Sequence, residues 1–342
     1  METDCGSSPG GPNDGGVNST RRERRCSLVI TTFNGIENLG QYLPGTLAVV
    51  AKSPECDEIV LVDDGSIDDS VDYVKRTFPR VKVVSLPENR GFGAAANAGF
   101  EAARNEFVAL ISNDMVVTEG FFSALFESLV SSDVFHVSAR QVGPEGELQK
   151  GRCIPFYVGD FRIWKVFCRE PEPSSAPRKL YHHFCGAIGL YDRRLFLALG
   201  GFDDLFLPFF VEENDLCYRA WRRGYRVLYE PRACVIHHHR SSTIANKFDW
   251  TVRKVQYRKN RLLFVWKNVD DPLFLLIHGV YLIAMSCFSW MSGHLVFYRG
   301  FLSALGRWSE VRRKRRDELP RFIRSDREVY REFSREIDSH DP

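Results

Sequence analysis

The chain has no CxxC pair among its nine cysteines, which stand at 5, 26, 56, 153, 168, 185, 217, 234 and 287. Odd in number and scattered, they spell neither a disulfide framework nor a zinc site, and they fit a reducing compartment. Net charge is low, at +2 over 342 residues. That excludes nucleic-acid binding driven by bulk attraction, so no nucleic-acid partner is expected. The first 25 residues, METDCGSSPGGPNDGGVNSTRRERR, hold no apolar run. They are not a secretory signal; they read as a disordered tail ending in a solvated charge run. No GxSxG elbow for a nucleophilic serine occurs. GFGAAANAG superficially suggests a dinucleotide loop but lacks the GxGxxG spacing, and its alanines suit a helix packed tightly on a sheet.

What the chain does contain is alternation. CSLVIT, EIVLV, VKVVS, EFVALIS and DVFHVSA read as strands. Helical patterns fill the gaps: Asn38 to Ala51, VDYVKRTF, GFGAAANAGFEAA, and Thr118 onward through FFSALFESL. Strict β/α alternation predicts a mostly parallel sheet with helices on both faces. In such sheets ligands lie beyond the carboxyl ends of the strands. EIVLVDDGSIDD therefore matters, because Asp63 and Asp64 follow a buried run directly. Asn113 and Asp114 end VALIS in the same way. A turn with a helix cap explains Gly65, Ser66 and Asp68, but not Asp63.

The pattern breaks from Gln141 to Lys179, where PEGELQKG and EPEPSSAPRK predict a long connection of the lid or binding-loop kind. Order returns with HHFCGAIGLYDRRLFLALGGF, a helix capped by Asp192 and ended by Gly200-Gly201. In LPFFVEENDLCYRAWRRGYRV, Glu212, Glu213 and Asp215 open a helix. Acids in a first turn complement the helix dipole. Three behind an apolar run exceed what a cap needs, and a carboxylate against aromatic walls suits a general base. In EPRACVIHHHRSS a short strand leads into His237, His238 and His239. Imidazole with a carboxylate can hold a divalent metal.

Together these segments resemble the family-2 glycosyltransferases of GT-A fold. The likeness runs over residues 26 to 265, in six motifs taken in order: SLVITTFNG, VDDGSIDDS, ENRGFGAAANAG, SNDM, VEENDLCYRAWRRGYRV and the Pro231 to Ser242 segment. The texture is closest to bacterial rhamnosyltransferase-like enzymes of cell-surface polysaccharide synthesis. The resemblance implies that Thr31, Asp63 and Asp64 border the base and ribose. Thr32, Asn34, Arg90, Gly91 and Asn113 would belong to the same nucleotide site. Asp114 would bind a divalent cation, manganese or magnesium, with His237 as second ligand or phosphate contact. Glu213 would be the catalytic base, with Glu212 and Asp215 orienting the acceptor or the helix. Two positions depart from the family pattern. Thr31 stands where proline is usual, and Ser112 where the metal motif has its first aspartate, with Asn113 able to supply a neutral oxygen.

The chemistry fits this set. Departure of a nucleoside diphosphate leaves negative charge that a hard cation on oxygen ligands offsets. A carboxylate must take the proton of the attacking hydroxyl. The expected reaction is inverting transfer from a dTDP-rhamnose or UDP-hexose type donor to a glycan or polyprenyl-linked acceptor. Transfer to polyprenyl phosphate itself, or non-catalytic binding of sugar nucleotides, are the alternatives. The expected organisation is a tail (1–25), a GT-A domain (26–245, with a nucleotide half 26–140 and an acceptor half 141–245) and a helical, basic C-terminal region (246–342). Within that region, residues 273–298 carry no Asp, Glu, Lys or Arg and exceed a bilayer span. Basic groups flank both ends, which disfavours a single span. Helices lying on the cytoplasmic face of the cell membrane, peripheral or monotopic, are expected instead.

Overall fold

Residues 24–158, 162–169, 181–238, 249–292 and 295–338 are described by a computed structural model. The first half is the expected alternation. Strands β1 (Cys26–Thr32), β2 (Cys56–Asp63), β3 (Lys82–Ser85) and β4 (Phe107–Ser112) are linked by helices α1 (Ile36–Val50), α2 (Ser70–Thr77) and α3 (Phe92–Ala102). All four strands are parallel in the order β3-β2-β1-β4. Their carboxyl ends therefore share one edge. Val29 and Val60 sit opposite each other and are fully buried, as are Val62, Val108 and Leu110. Strands covered on both faces read as unbroken apolar runs, which is why they are legible.

The sheet then widens. After β5 (Met115–Val117), α4 (Phe121–Ser128) and β6 (Val134–Val142) come β7 (Leu148–Lys150), β8 (Arg152–Val158), β9 (Arg162–Arg169), β10 (Tyr181–His182) and β11 (Gly189–Asp192). Helices α5 (Arg193–Ala198) and α6 (Glu212–Arg222) precede the long strand β12 (Arg226–His237). The main sheet runs β10-β12-β6-β11-β4-β1-β2-β3, with β11 antiparallel to both its neighbours. Asp192 caps α5 as expected, its Oδ1 accepting the Leu195 N–H at 2.9 Å.

The expected loop of residues 141–179 needs correction. It holds β7, which pairs with β6, and the β8–β9 hairpin, a separate two-stranded sheet running from Arg152↔Arg169 to Val158↔Arg162. The pattern hides these strands because β8 and β9 pair only with each other and Pro155 interrupts the first. Residues 159–161 and 170–179 of that segment, the tail before residue 24, and His239 lie outside the described residues.

The C-terminal region is helical, as expected: α7 (Trp250–Asn268), α8 (Pro272–Ser292), α9 (Val296–Leu305), α10 (Trp308–Glu318) and α11 (Asp326–Asp338). Its core is continuous with that of the sheet domain. Leu262, Leu263, Phe264 and Val265 of α7 join the same buried cluster as Leu216, Tyr218 and Trp221 of α6. Arg222, at the end of α6, is buried between Asp270 (2.9 Å) and Asp326 (2.5 Å).

Helix α3 lies close on the sheet because its inner face is Ala95, Ala96 and Gly99. A Cβ on Gly99 would stand 2.4 Å from Val29 Cγ1 and 3.0 Å from Val62 Cγ2. Gly99→Ala is therefore expected to destabilise by about 1–3 kcal/mol through overpacking. In an open helix the same change gains roughly 0.8–1 kcal/mol. Urea unfolding of the two proteins gives the sign.

Candidate active site

Strand β1 ends between β2 and β4, and the three ends are bonded together. The Asp64 N–H donates to the Thr32 carbonyl (2.9 Å) and the Asn113 N–H to that of Thr31 (3.1 Å). The Asn113 amide donates to Thr32 Oγ1 at 2.8 Å. Gly35 follows so closely that a Cβ there would meet Asn113 Nδ2 at 2.0 Å. Asn34, at φ 46, ties the loop after β1 to the loop after β2: its N–H donates to Ser66 Oγ (2.8 Å) and its Oδ1 accepts the Ile67 N–H (2.9 Å).

The two aspartates at the end of β2 do different things. Asp64 accepts the N–H groups of Arg90 (2.8 Å) and Gly91 (2.7 Å), one on each oxygen. Burial raises its carboxyl above the usual range, and those two bonds offset part of the rise. It therefore builds the turn that enters α3. Gly91 is required in that turn, since φ is 88 and a Cβ would stand 2.4 Å from the Pro208 carbonyl oxygen. Asp63 accepts only the Ser66 N–H, at 3.2 Å through Oδ2. Its Oδ1 is buried with no protein partner. A buried acceptor of this kind calls for a donor from a ligand or water.

Asp114 lies one turn past β4 and is 7% exposed. Ser112 Oγ donates to its Oδ1, and His237 Nε2 stands 3.4 Å from its Oδ2. Burial alone would raise this carboxyl; the neighbouring His237 and Ser112 outweigh it and lower it. His237 ends β12, where β5 and β12 place it opposite Met115. His238 turns the other way and stacks on Tyr42, with ring centroids 4.0 Å apart. Among the described residues no three His, Cys, Asp or Glu side chains form a metal-sized group. The Asp114–His237 pair could offer a cation two donors, an oxygen and a nitrogen.

The acids of α6 separate clearly. Glu213 is partly exposed, 3.6 Å from Lys150 Nζ. Glu212 is buried, its Oε2 has no partner, and burial followed by the Glu213 charge holds its carboxyl well above the usual range. Asp215 is 0% exposed and accepts from Arg219 Nε (2.7 Å), Lys267 Nζ (2.8 and 2.9 Å) and Asn268 Nδ2 (2.8 Å). Of the two expected roles, orienting the acceptor or orienting the helix, its geometry fits the second.

A path of contacts joins the two chemical ends. Gln149 Nε2 donates to the His237 carbonyl at 3.0 Å, and the next residue is Lys150, the partner of Glu213. Lys150 was not singled out in the sequence, because β7 carries no motif. A cavity of about 590 Å³ adjoins this region between α3, residues 199–208 and α10. It is lined by Arg90 and Glu212, but not by Asp63, Asp114, Glu213 or His237.

The helix starts after Phe210 and Val211, both at positive φ (75 and 77). Such backbone costs about 1–3 kcal/mol per residue and persists only where surroundings impose it. The buried charges around Asp215 are part of those surroundings. Asp215→Ala leaves two buried cations short of a partner and is expected to cost about 3–5 kcal/mol of unfolding free energy. Glu213→Gln, at the rim, should stay within about 0.5 kcal/mol of the parent. Parallel urea denaturation distinguishes the structural acid from the site acid.

Three comparisons bear on this arrangement. The family model described as glycosyl transferase family 2 matches residues 27–200, about half the chain. The pre-mycofactocin glycosyltransferase of Mycobacterium tuberculosis is 28% identical over 229 residues, 66% of this chain and 46% of that protein. The chain thus spans about half the length of that relative. The dodecaprenyl-phosphate galacturonate synthase of Rhizobium johnstonii is 32% identical over 104 residues, 29% of this chain and 31% of that protein. Among solved structures, GalNAc-T7 with UDP, GalNAc and Mn2+ superposes with a TM-score of 0.55 at 19% identity, over 72% of this chain and 48% of that one. That likeness shows a shared GT-A fold. The match to the family model shows more: this chain belongs to glycosyl transferase family 2.

Proposed function

We propose that the chain transfers a sugar, with inversion, from a nucleoside-diphosphate sugar to a hydroxyl of a glycan or lipid-linked acceptor. One observation carries the reading: the contact path from Asp114 and His237 through Gln149 and Lys150 to Glu213. It would put a cation-binding pair and a partly exposed carboxylate, paired with Lys150, at opposite ends of one short span. Asp63 Oδ1 supports the donor assignment, since its missing partner matches the imide N–H of uracil or thymine. A dTDP-rhamnose or UDP-hexose type donor meets that demand.

The residues divide the work. Asp114 and His237 would hold manganese or magnesium, as the neighbour crystallised with UDP and Mn2+ suggests. When bound, the cation offsets charge that builds on the departing diphosphate. Glu213, partly exposed, takes the proton of the acceptor hydroxyl as it attacks the anomeric carbon. Glu212 is buried beside it, and burial followed by the Glu213 charge pushes its carboxyl well above the usual range, so the partly exposed Glu213 is the better placed acid. Asp64 keeps the Arg90–Gly91 turn in place at the nucleotide side.

Transfer to polyprenyl phosphate itself is the second reading. It is supported by the similarity to the Rhizobium synthase over 104 residues. It is also supported by α8, the one described helix long and apolar enough to cross a membrane. That helix exposes Leu276, Ile283, Phe288, Trp290 and Met291, and Arg299, Arg312, Arg313 and Arg316 are exposed nearby in sequence. An apolar face with basic residues suits the surface of an anionic leaflet. We place the enzyme there, on the cytoplasmic side.

Two measurements test this reading. UDP- and dTDP-sugars are screened with manganese for release of the nucleoside diphosphate. Glu213→Gln should lower turnover by at least about 100-fold, with donor KM within about twofold. Asp114→Ala should remove the manganese dependence of donor binding. Wild-type rates in both variants would refute the assignment. Separately, the protein should co-sediment with phosphatidylglycerol vesicles and less with phosphatidylcholine, the difference shrinking as salt rises. Equal binding to neither would place it off the membrane.

A further inference from the structure

The turn that delivers the chain into α6 has an unusual support. Phe210 and Val211 both lie in the left-handed region, and Val211 is β-branched. Bulky and branched residues rarely adopt this conformation unaided. The next residues are Glu212 and Glu213. Three carbonyls of this turn converge on a single atom of α7. Asn260 Nδ2 donates to the carbonyls of Phe206 (2.6 Å), Phe209 (3.0 Å) and Phe210 (2.8 Å). One turn earlier in α7, Gln256 Nε2 donates to the Leu207 carbonyl at 2.9 Å, and Lys259 Nζ reaches the same oxygen at 3.3 Å.

Asn260 is 0% exposed, and its Oδ1 has no protein partner. A carboxamide NH2 has two hydrogens, so three acceptors share them. No other side chain of this size offers two donors and no charge. Inside a helix asparagine is a poor former, since its side chain competes for backbone bonds. Here that side chain is aimed wholly at the turn. Lys267 and Lys314 hold the start of the same segment through Asp203, at 2.5 and 2.6 Å, but they do not touch the left-handed residues.

We infer that Asn260 is a positioning residue for catalysis: its amide holds the 206–211 turn in the left-handed form that aims Glu213 at the acceptor hydroxyl. The inference rests on Glu213 being the base. It assigns the C-terminal helical region a part in the reaction, because α7 supplies the clamp. Removing the clamp should release the turn toward ordinary backbone angles and swing Glu213 away, with Asp63, Asp114 and His237 unmoved.

The test compares Asn260→Asp and Asn260→Ala with Leu263→Ala, which removes fully buried volume from the same helix. Asn260→Asp keeps the shape but sets oxygens against three carbonyls. Two readouts are taken on the full chain. Amide hydrogen exchange should speed up in peptides covering 206–216 in both Asn260 variants and stay at the parental rate in β1, β2 and β4. Nucleoside-diphosphate release from UDP-glucose, UDP-N-acetylglucosamine and dTDP-rhamnose with manganese should show kcat down about 10- to 100-fold, the scale of a misplacement near 1 Å. Donor KM should stay within about twofold. Leu263→Ala should lower Tm yet keep kcat within about twofold well below its Tm. The proposal is overturned if the Asn260 variants keep kcat or leave 206–216 protected. It is equally overturned if Leu263→Ala loses kcat to the same degree. Should Glu213→Gln keep parental kcat, the base assignment fails, and the exchange data still decide whether Asn260 holds the turn.

Discussion

One buried carboxylate ties helix α6 to everything behind it. Asp215 accepts from Arg219 on its own helix and from Lys267 and Asn268 at the end of α7. Lys267 continues to Asp203, and Asp203 to Lys314 of α10. Charges withdrawn from water persist only when paired, and pairing demands near-fixed geometry. The cluster therefore fixes where α6 begins relative to α7 and α10. With Asp215 turned inward, the helix presents Glu213, two residues earlier, to the rim. The same orientation buries Glu212, so three neighbouring acids take three different environments.

The sheet supplies the other half of the site by a different constraint. Parallel strands bring their carboxyl ends to one edge, and the residues just past those ends have no ladder partner to satisfy them. Thr31 and Thr32 lend their carbonyls to Asn113 and Asp64 on either side. Asp64 then spends both oxygens on the Arg90–Gly91 turn, which leaves Asp63 with a buried oxygen to offer. Strand β12 returns to the same region through β5 and sets His237 beside Asp114. In the proposed reading the sheet builds the donor side and the helical cluster the base side, and β7 joins them through Gln149 and Lys150.

Much of this was legible in the residues. Val29, Val60 and Leu110 belong to runs that only a doubly covered strand requires, so the sheet and its functional edge could be read early. Asp63, Asp114, Glu213 and His237 stood out because polar groups followed apolar runs directly. The roles of Asp64 and Asp215 were not legible, because a carboxylate bonded to backbone N–H groups looks the same in sequence as one facing a ligand. The strands at 148–169 escaped because they are short and, in β8 and β9, pair only locally. Lys150 and Asn260 act through contacts at separations of 63 and about 50 residues, which no local pattern encodes. The one trace of Asn260 was an asparagine in the interior of a helix, where that residue is a poor former.

The most direct measurement is a crystal structure of the chain with manganese and a hydrolysis-resistant UDP-sugar. The account predicts the ion on Asp114 and His237, the base edge against Asp63 Oδ1, and the Glu213 carboxylate facing the anomeric carbon from the side opposite the diphosphate. A nucleotide lodged elsewhere, for instance in the cavity beside α3 and α10, or a Glu213 on the diphosphate side, would contradict it.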